Sequence, residues 1–280
     1  MSVYLRRFGS AEAQVNEPVR VLSDLHLGHK VSRIENVSAL RPLIAGAGTI
    51  IFNGDVWQEL ALPFFERSSE MLADLKALCH DEGAEAVFLA GNHDPGWPGL
   101  GWVELAEGRI VITHGDALFF DGSPWKREVL IRSGHVMDLW KLHPRAHHDV
   151  EERLRLARTI ARELCSVEHP TGRRLVERAW DAIMPPQRAF KMLESWLTQG
   201  SKGAEFCERY FPSAEVLIVG HFHHAGTWLR KGRRIINTGS FVTPGRAHWI
   251  EWNNGWLHRG LIDESSNVYR KGTTLDVWRF

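Results

Sequence analysis

The chain has 280 residues, 44% of them hydrophobic and 24% charged, with 34 Lys plus Arg set against 34 Asp plus Glu. That zero balance argues against a broad nucleic-acid or anionic-membrane surface, and no run approaches the roughly 18 apolar residues of a transmembrane segment. Three widely spaced cysteines, Cys79, Cys165 and Cys207, make neither a zinc ribbon nor a disulfide framework; with no secretory signal in residues 1–16 they read as reduced thiols of a cytoplasmic protein.

Residues 1–17 read as a lead-in strand or a loose arm. An apolar strand over 19–23 ends in Asp24-Leu25-His26. Helical spacing over 31–45 (Ile34, Val37, Leu40, Leu43, Ile44) stops at Gly46 and Gly48, and a second strand over 49–52 runs into Asn53-Gly54-Asp55. A helix over 68–78 places Met71, Leu72, Leu75 and Leu78 on one face. A third strand over 86–90 ends in Gly91-Asn92-His93-Asp94. This strand-helix alternation implies parallel strands joined by right-handed crossovers. Strands over 102–105 and 109–113 follow around the turn Glu107-Gly108, the second ending in His114-Gly115-Asp116.

From about 121 to 212 strand signals almost vanish. Helices are predicted over 125–142, 149–165, 172–183 and 186–197, with breaks at Pro144, Pro170 and Pro185-Pro186. This stretch carries 16 basic and 13 acidic residues, a slight positive bias that suits either an anionic substrate or a solvated helical surface. Strands resume over 215–219, ending in Gly220-His221-Phe222-His223, and continue over 227–229, 234–237, 248–252 and 256–261. Turns at Lys231-Gly232 and Asn253-Asn254-Gly255 make these antiparallel. The chain therefore reads as one domain over 1–280, with a helical insert over 121–212 that acts as a lid.

Five apolar strands thus end in bursts of Asp, Asn and His, and in open α/β sheets ligands bind at such C-terminal edges. Asp24 with His26, and His221 with His223, stand two residues apart on extended chain, so each pair points one way and can grip one cation. Oxygen and imidazole donors without thiolate suit manganese, iron or zinc. Asp24, His26, Asp55, Asn92, His114, His221 and His223 are too many for one such ion. They suit two divalent metals sharing a bridging carboxylate, the arrangement that clamps both the attacking and the leaving oxygen of a phosphoryl transfer.

Together, Asp24-x-His26, Gly54-Asp55, Gly91-Asn92-His93-Asp94, His114 and Gly220-His221-x-His223 resemble the calcineurin-like metallophosphoesterase superfamily, block by block and in its order. The resemblance implies an α/β class of fold with mixed sheets, a four-layer α/β/β/α sandwich. It implies a dinuclear-metal-dependent hydrolase of a phosphomonoester, phosphodiester or diphosphate, with a water activated between two metals. Asp24, His26 and His223 would hold one metal, Asn92, His114 and His221 the other, and Asp55 would bridge them. His93 would stand near the leaving oxygen as proton donor or cationic stabiliser, with Asp94 either orienting its imidazole or acting as a turn residue. Asn92, Lys126 and Arg127 are the candidates for substrate contact. The partner expected is a small phosphorylated molecule, nucleotide- or lipid-linked species included, and not a nucleic acid.

His114-Gly115-Asp116 followed by a long helical stretch also looks like the UDP-2,3-diacylglucosamine pyrophosphatase branch of lipid A synthesis, in which a helical lid covers a lipid-bearing sugar nucleotide; such a substrate would leave a place peripheral to the membrane open to this chain. His93 departs from it, since that branch's best-known members carry arginine there. The opposing expectation is a non-catalytic protein-binding scaffold of the same fold. His29 and His224 beside the ligand blocks, and His135, His143, His147 and His148 in the helical stretch, are further candidates to touch a phosphate. Asp116 reads as a support for His114 or a turn residue, and Asn237-Thr238-Gly239-Ser240 as packing beneath the site.

Overall fold

The computed structural model describes residues 4–7, 10–14, 16–165 and 186–280, so the helix expected over 172–183 lies outside the described residues. Strands β1 (Tyr4–Arg7), β2 (Ser10–Gln14) and β3 (Val19–Leu22) open the chain. Then come helix α1 (Arg41–Ile44), strand β4 (Thr49–Asn53), helix α2 (Leu62–Asp81) and strands β5 (Glu85–Leu89), β6 (Leu100–Leu105) and β7 (Ile110–Ile112). Helices α3 (Arg127–Ile131), α4 (Ser133–Leu142), α5 (Val150–Glu163) and α6 (Gln187–Tyr210) follow. The chain ends in strands β8 (Val216–Val219), β9 (Gly226–Arg230), β10 (Arg233–Asn237), β11 (His248–Asn253), β12 (Trp256–Ser265) and β13 (Val268–Arg279).

Two mixed sheets result, one ordered β2-β1-β6-β7-β8-β10-β9 and the other β13-β12-β11-β3-β4-β5. The expected parallel pairings are made, β3 with β4 and β4 with β5, and β7 also pairs in parallel with β8. The sheets pack face to face through Val21, Ile51 and Val87 of one and Val103, Ile112, Ile218 and Ile236 of the other, all buried. The outer face of the six-stranded sheet takes α1 and α2 through Leu43, Ile44, Leu72 and Leu75. Leu154, Ala157, Phe206 and Cys207 of α5 and α6 cover the outer face of the seven-stranded sheet. The order is helix, sheet, sheet, helix, with apolar interfaces throughout, the arrangement that lets each amphipathic element bury one face.

The helical stretch is therefore not all peripheral, because α5 and α6 supply the fourth layer. Its remaining helices have a small core of their own, where Val136, Leu139 and Trp140 of α4 meet Leu156 and Ile160 of α5. Asp149 caps α5, its carboxylate accepting from the N–H groups of Glu151 and Glu152.

Three expected elements differ. The helix expected over 31–45 shrinks to a 3-10 turn, Val37–Leu40, followed by α1. Upstream residues spend their hydrogen bonds elsewhere: the Ser32 hydroxyl donates to Leu25 O and Arg33 N–H to Phe241 O. The helix expected over 125–142 divides at Arg132 into α3 and α4. The helix expected over 186–197 runs on to Tyr210, through two glycines that serve packing: a Cβ at Gly200 would lie 2.7 Å from Trp228 and one at Gly203 2.8 Å from Ile235.

Candidate metal centre

The C-terminal ends of β3, β4, β5, β7 and β8 meet at one edge of the sandwich, and there the backbone leaves the extended region abruptly. Asp24, His26, Asp55, His221 and His223 all have positive φ, between 48° and 66°. Such turns throw successive side chains inward from short loops, at a conformational cost to non-glycine residues. Backbone hydrogen bonds hold the loops in register, from Asp24 N–H to Gly54 O at 3.1 Å and from His26 N–H to Asp55 O at 2.9 Å. Gly54, at φ +78°, lies under the His114 ring, where a Cβ would come within 2.3 Å of Nδ1.

Two groups of donors result. Asp24, His26, Asp55 and His223 form one and Asp55, His114 and His221 the other, the ligand atoms within each lying inside 4.8 Å of one another. Asp55 belongs to both, with Oδ2 3.7 Å from His26 Nε2 and Oδ1 3.5 Å from His114 Nε2. His223 Nε2 stands 3.3 Å from Asp24 Oδ1 and 3.1 Å from His26 Nε2. Asn92 is buried beside them.

The outward nitrogens identify the inward ones. His114 Nδ1 donates to Asn53 O at 2.9 Å and His221 Nε2 to Gly122 O at 3.1 Å. A carbonyl only accepts, so each of these rings turns an unprotonated nitrogen to the cluster unless it carries a second proton. Those nitrogens, His114 Nε2 and His221 Nδ1, are buried without a hydrogen-bond partner, as is Asn92 Oδ1. Leaving three acceptors unpaired is costly unless a cation completes them. Buried, convergent and free of thiolate, the set fits divalent transition ions, with the outer hydrogen bonds orienting the rings as such sites require.

The electrostatics agree. Burial alone would raise Asp55, but the imidazoles of His114, His93 and His26 outweigh it and hold its carboxyl well below the usual range. Burial opposes the protonation of His114, yet with no cation present the charges of Asp55 and Asp24 carry it well above 6.5. Burial and neighbouring imidazoles press His26 and His221 well below 6.5. The cluster thus pulls a positive charge toward Asp55.

His93 stands beside the donors, its ring 4.8 Å from that of His26 and edge-on to it. Burial pushes its pKa down, to about 3, against the opposing pull of Asp55. The His93 backbone N–H donates to Asp55 Oδ1 at 2.8 Å. The expected pairing of Asp94 with this imidazole is not made. Asp94 instead accepts from the N–H groups of Asp55, Val56 and Gly91 at 2.8–2.9 Å, lacing two loops together. Burial and the nearby Asp55 charge raise its carboxyl to about 7, while these N–H donors pull it the other way.

The partner of His93 is Gln58, which the motifs did not reveal. Its fully buried amide sits between two rings, Oε1 3.0 Å from His93 Nδ1 and Nε2 2.9 Å from His26 Nδ1. The signal for it was slight: one amide three residues after Asp55, in the unpatterned stretch Val56-Trp57-Gln58.

A cavity of about 710 Å³ opens beside the cluster, bounded by Asn92, His93 and Lys126 and by apolar walls from Trp125, Met192 and Trp196. Lys126, half-buried, has its pKa lowered by that burial. Arg127, expected with it, begins α3, is exposed and takes no part in the lining. His224 stacks on Trp196 in the cavity wall, and His29 packs near His26 against Phe64. The helical-stretch histidines have other partners: His135 pairs with Glu163, His143 with Glu152, and His147 packs on Trp140 with His148 beside it. Asp116 turns back to Ala117 N–H and leaves the support of His114 to Asn53. Asn237 and Thr238 pack beneath the site, bonding Gly220 O and the Ser23 hydroxyl, which in turn donates to Asp24 Oδ2 at 2.5 Å.

No family model and no curated protein matches the chain. Among solved structures it is similar to Vps29 of Entamoeba histolytica complexed with zinc, at 15% identity over 94% of this chain and 97% of that one, with a TM-score of 0.40. It is similar to a Streptococcus pneumoniae protein described as a predicted phosphoesterase, at 13% over 96% and 100%, TM-score 0.38. A cold-active protein-tyrosine phosphatase of a Shewanella species shares 13% over 90% and 84%, TM-score 0.38. These likenesses say nothing about what the side chains do.

Proposed function

We propose that this chain is a dinuclear-metal-dependent hydrolase of phosphoester or diphosphate bonds, of the calcineurin-like metallophosphoesterase type. The observation that carries the reading is the pair of donor groups sharing Asp55, buried except for the half-buried His223, at the edge of a cavity that also holds His93 and Lys126. Asp24, His26 and His223 would hold one ion, Asn92, His114 and His221 the other, and Asp55 both. Divalent ions so held supply Lewis-acid polarisation of phosphoryl oxygens and a water acidified toward neutral pH. Manganese is the first choice, with iron and zinc equally compatible with the donors.

The chain's own groups divide the remaining work. His93, on the rim of the cavity and held neutral by its burial, donates a hydrogen bond to the leaving oxygen. Lys126 offsets the charge of a phosphoryl group, and the Asn92 amide N–H₂ orients one of its oxygens. The residues of 121–212 that line the cavity act as its lid: Ser123, Trp125, Lys126, Met192 and Trp196. Their apolar walls exclude water and favour a substrate with an organic group larger than phosphate itself.

That size suits a nucleotide, a sugar phosphate or a diphosphate such as UDP-2,3-diacylglucosamine. His93 in place of arginine speaks against the last. Among the described residues no helix is long and apolar enough to cross a membrane. Cys79, Cys165 and Cys207 are free, in keeping with a reducing cytoplasm as the compartment.

The test is hydrolysis of p-nitrophenyl phosphate, bis-p-nitrophenyl phosphate and a panel of nucleotide and sugar-nucleotide diphosphates by manganese-loaded protein. Turnover above the metal-only background is expected. Absence of turnover on every member, with metal shown to be bound, would overturn the enzymatic reading in favour of a scaffold.

A further inference from the structure

Gln58 connects the two halves of this chemistry. Its backbone N–H donates to the Ser68 hydroxyl at 2.8 Å, and that hydroxyl donates to Leu27 O at 2.7 Å, so α2 anchors the residue. Its amide reaches His26 Nδ1 with one end and His93 Nδ1 with the other. A primary amide has one donating and one accepting end. Placed between two imidazoles, it must therefore give them opposite roles: one Nδ1 carries a proton and the other does not.

In the recorded orientation Nε2 faces His26, so His26 holds its proton on Nε2, from which it reaches His223 Nε2 at 3.1 Å. His93 then holds its proton on Nδ1, toward Oε1. A half-turn of the amide reverses both assignments in the same space, because its ends are nearly isosteric. His26 then donates from Nδ1 and frees Nε2, the nitrogen that faces Asp24, Asp55 and His223. His93 then accepts at Nδ1 and carries its proton on Nε2, the only nitrogen left to face the cavity. Each ring keeps one proton throughout; only the nitrogen that bears it changes.

We propose that Gln58 is a positioning residue that ties the hydrogen-bond role of His93 to cation occupancy beside His26. This rests on the metal reading above. Only the orientation that frees His26 Nε2 for a cation also makes neutral His93 a donor toward the substrate. The other orientation disarms both rings, so the centre becomes competent as a unit.

Titration of the ¹⁵N-histidine-labelled protein with Zn²⁺, followed by imidazole NMR, tests this directly. The expected result is that His93 passes from the Nδ1–H to the Nε2–H signature in step with zinc binding. In Gln58→Met the His93 signature should no longer follow zinc. That variant should also bind zinc ~10-fold more weakly and hydrolyse alkyl phosphates with a kcat lowered ~10²-fold. The kcat for p-nitrophenyl phosphate, whose weakly basic leaving oxygen gains little from a hydrogen bond, should fall far less, with KM little changed in either case. A His93 tautomer indifferent to bound zinc overturns the proposal, as does an equal kcat loss for both leaving groups. If zinc leaves the resonances of His26, His114, His221 and His223 unmoved, the underlying metal reading fails instead, and the proposal falls with it.

Discussion

Replacing Gly220 with alanine should empty part of the metal centre while leaving the fold intact. An added Cβ would stand 2.1 Å from Asp24 Oδ2 and 2.5 Å from Ser23 Oγ, where ordinary contact begins at 3.4 Å. The Asp24 carboxylate would have to retreat by more than about 1 Å, whereas ligand geometry tolerates only about 0.5 Å. It cannot retreat freely, because the His221 N–H holds both its oxygens at 3.1 Å and the Ser23 hydroxyl holds Oδ2. Gly220 does not lie in the left-handed region, so alanine carries no backbone penalty there. Overpacking should cost about 1–3 kcal/mol of stability, within reach of a domain this size. Displacing the ligand should weaken the affinity of the Asp24 group for Mn²⁺ by ~10- to 100-fold. Isothermal titration calorimetry of the folded variant, checked by circular dichroism, measures this. Wild-type affinity in Gly220→Ala would refute the placement of Asp24 among the ligands.

Two further substitutions separate roles that share one small space. Asp55→Ala should abolish both metal binding and hydrolysis, whereas His93→Ala should keep the metal and lose ~10²-fold in rate; loss of metal from His93→Ala, seen by calorimetry, would contradict its place outside the ligand set. A pH effect is also expected at His248, in the wall of the same cavity, whose pKa burial and the nearby Arg259 charge lower to about 4. Because its folded pKa lies below its unfolded value near 6.5, the stability it contributes is complete above pH 6.5 and is lost as pH falls toward 4. That loss amounts to about 3 kcal/mol at most. Urea unfolding of the protein and of His248→Gln at pH 7 and pH 4.5 should show a smaller loss in the variant, and equal losses would exclude the effect.

The strand ends were legible because two simple periodicities coincide there. An apolar run of β length stops and an Asp-x-His or His-x-His pair follows, although these pairs converge through left-handed turns and not through strand alternation. Asp24, His26, Asp55, His114, His221 and His223 meet the eye for that reason. Gln58 does not, since it carries no period and acts only by standing between His26 and His93, which are 32 and 35 residues away. Asp94 left two readings open, a partner of His93 or a turn residue; its carboxylate accepts from Gly91 N–H in its own turn and from Asp55 and Val56 N–H in the neighbouring loop. The helix expected over 186–197 stops short of Gly200 and Gly203, and only the approach of Trp228 and Ile235 shows that these glycines let α6 lie close on its sheet. The terminal strand β13 escaped notice because its alternation is weak and much of it is exposed. Lys126 and Arg127 were indistinguishable as neighbours, until the first helical turn of α3 sent one to the cavity and the other to solvent.

The five donors with positive φ bear on why such a centre persists at all. A left-handed conformation costs a residue with a Cβ about 1 kcal/mol or more, and glycine or asparagine would occupy it with less penalty. A lineage screened only for thermal robustness would drift toward those smaller residues at Asp24, His26, Asp55, His221 and His223, and would become sturdier as it did so. That the chain instead tolerates five uncomfortable side chains in one spot marks the edge of the sandwich as held there by a demand that folding does not make.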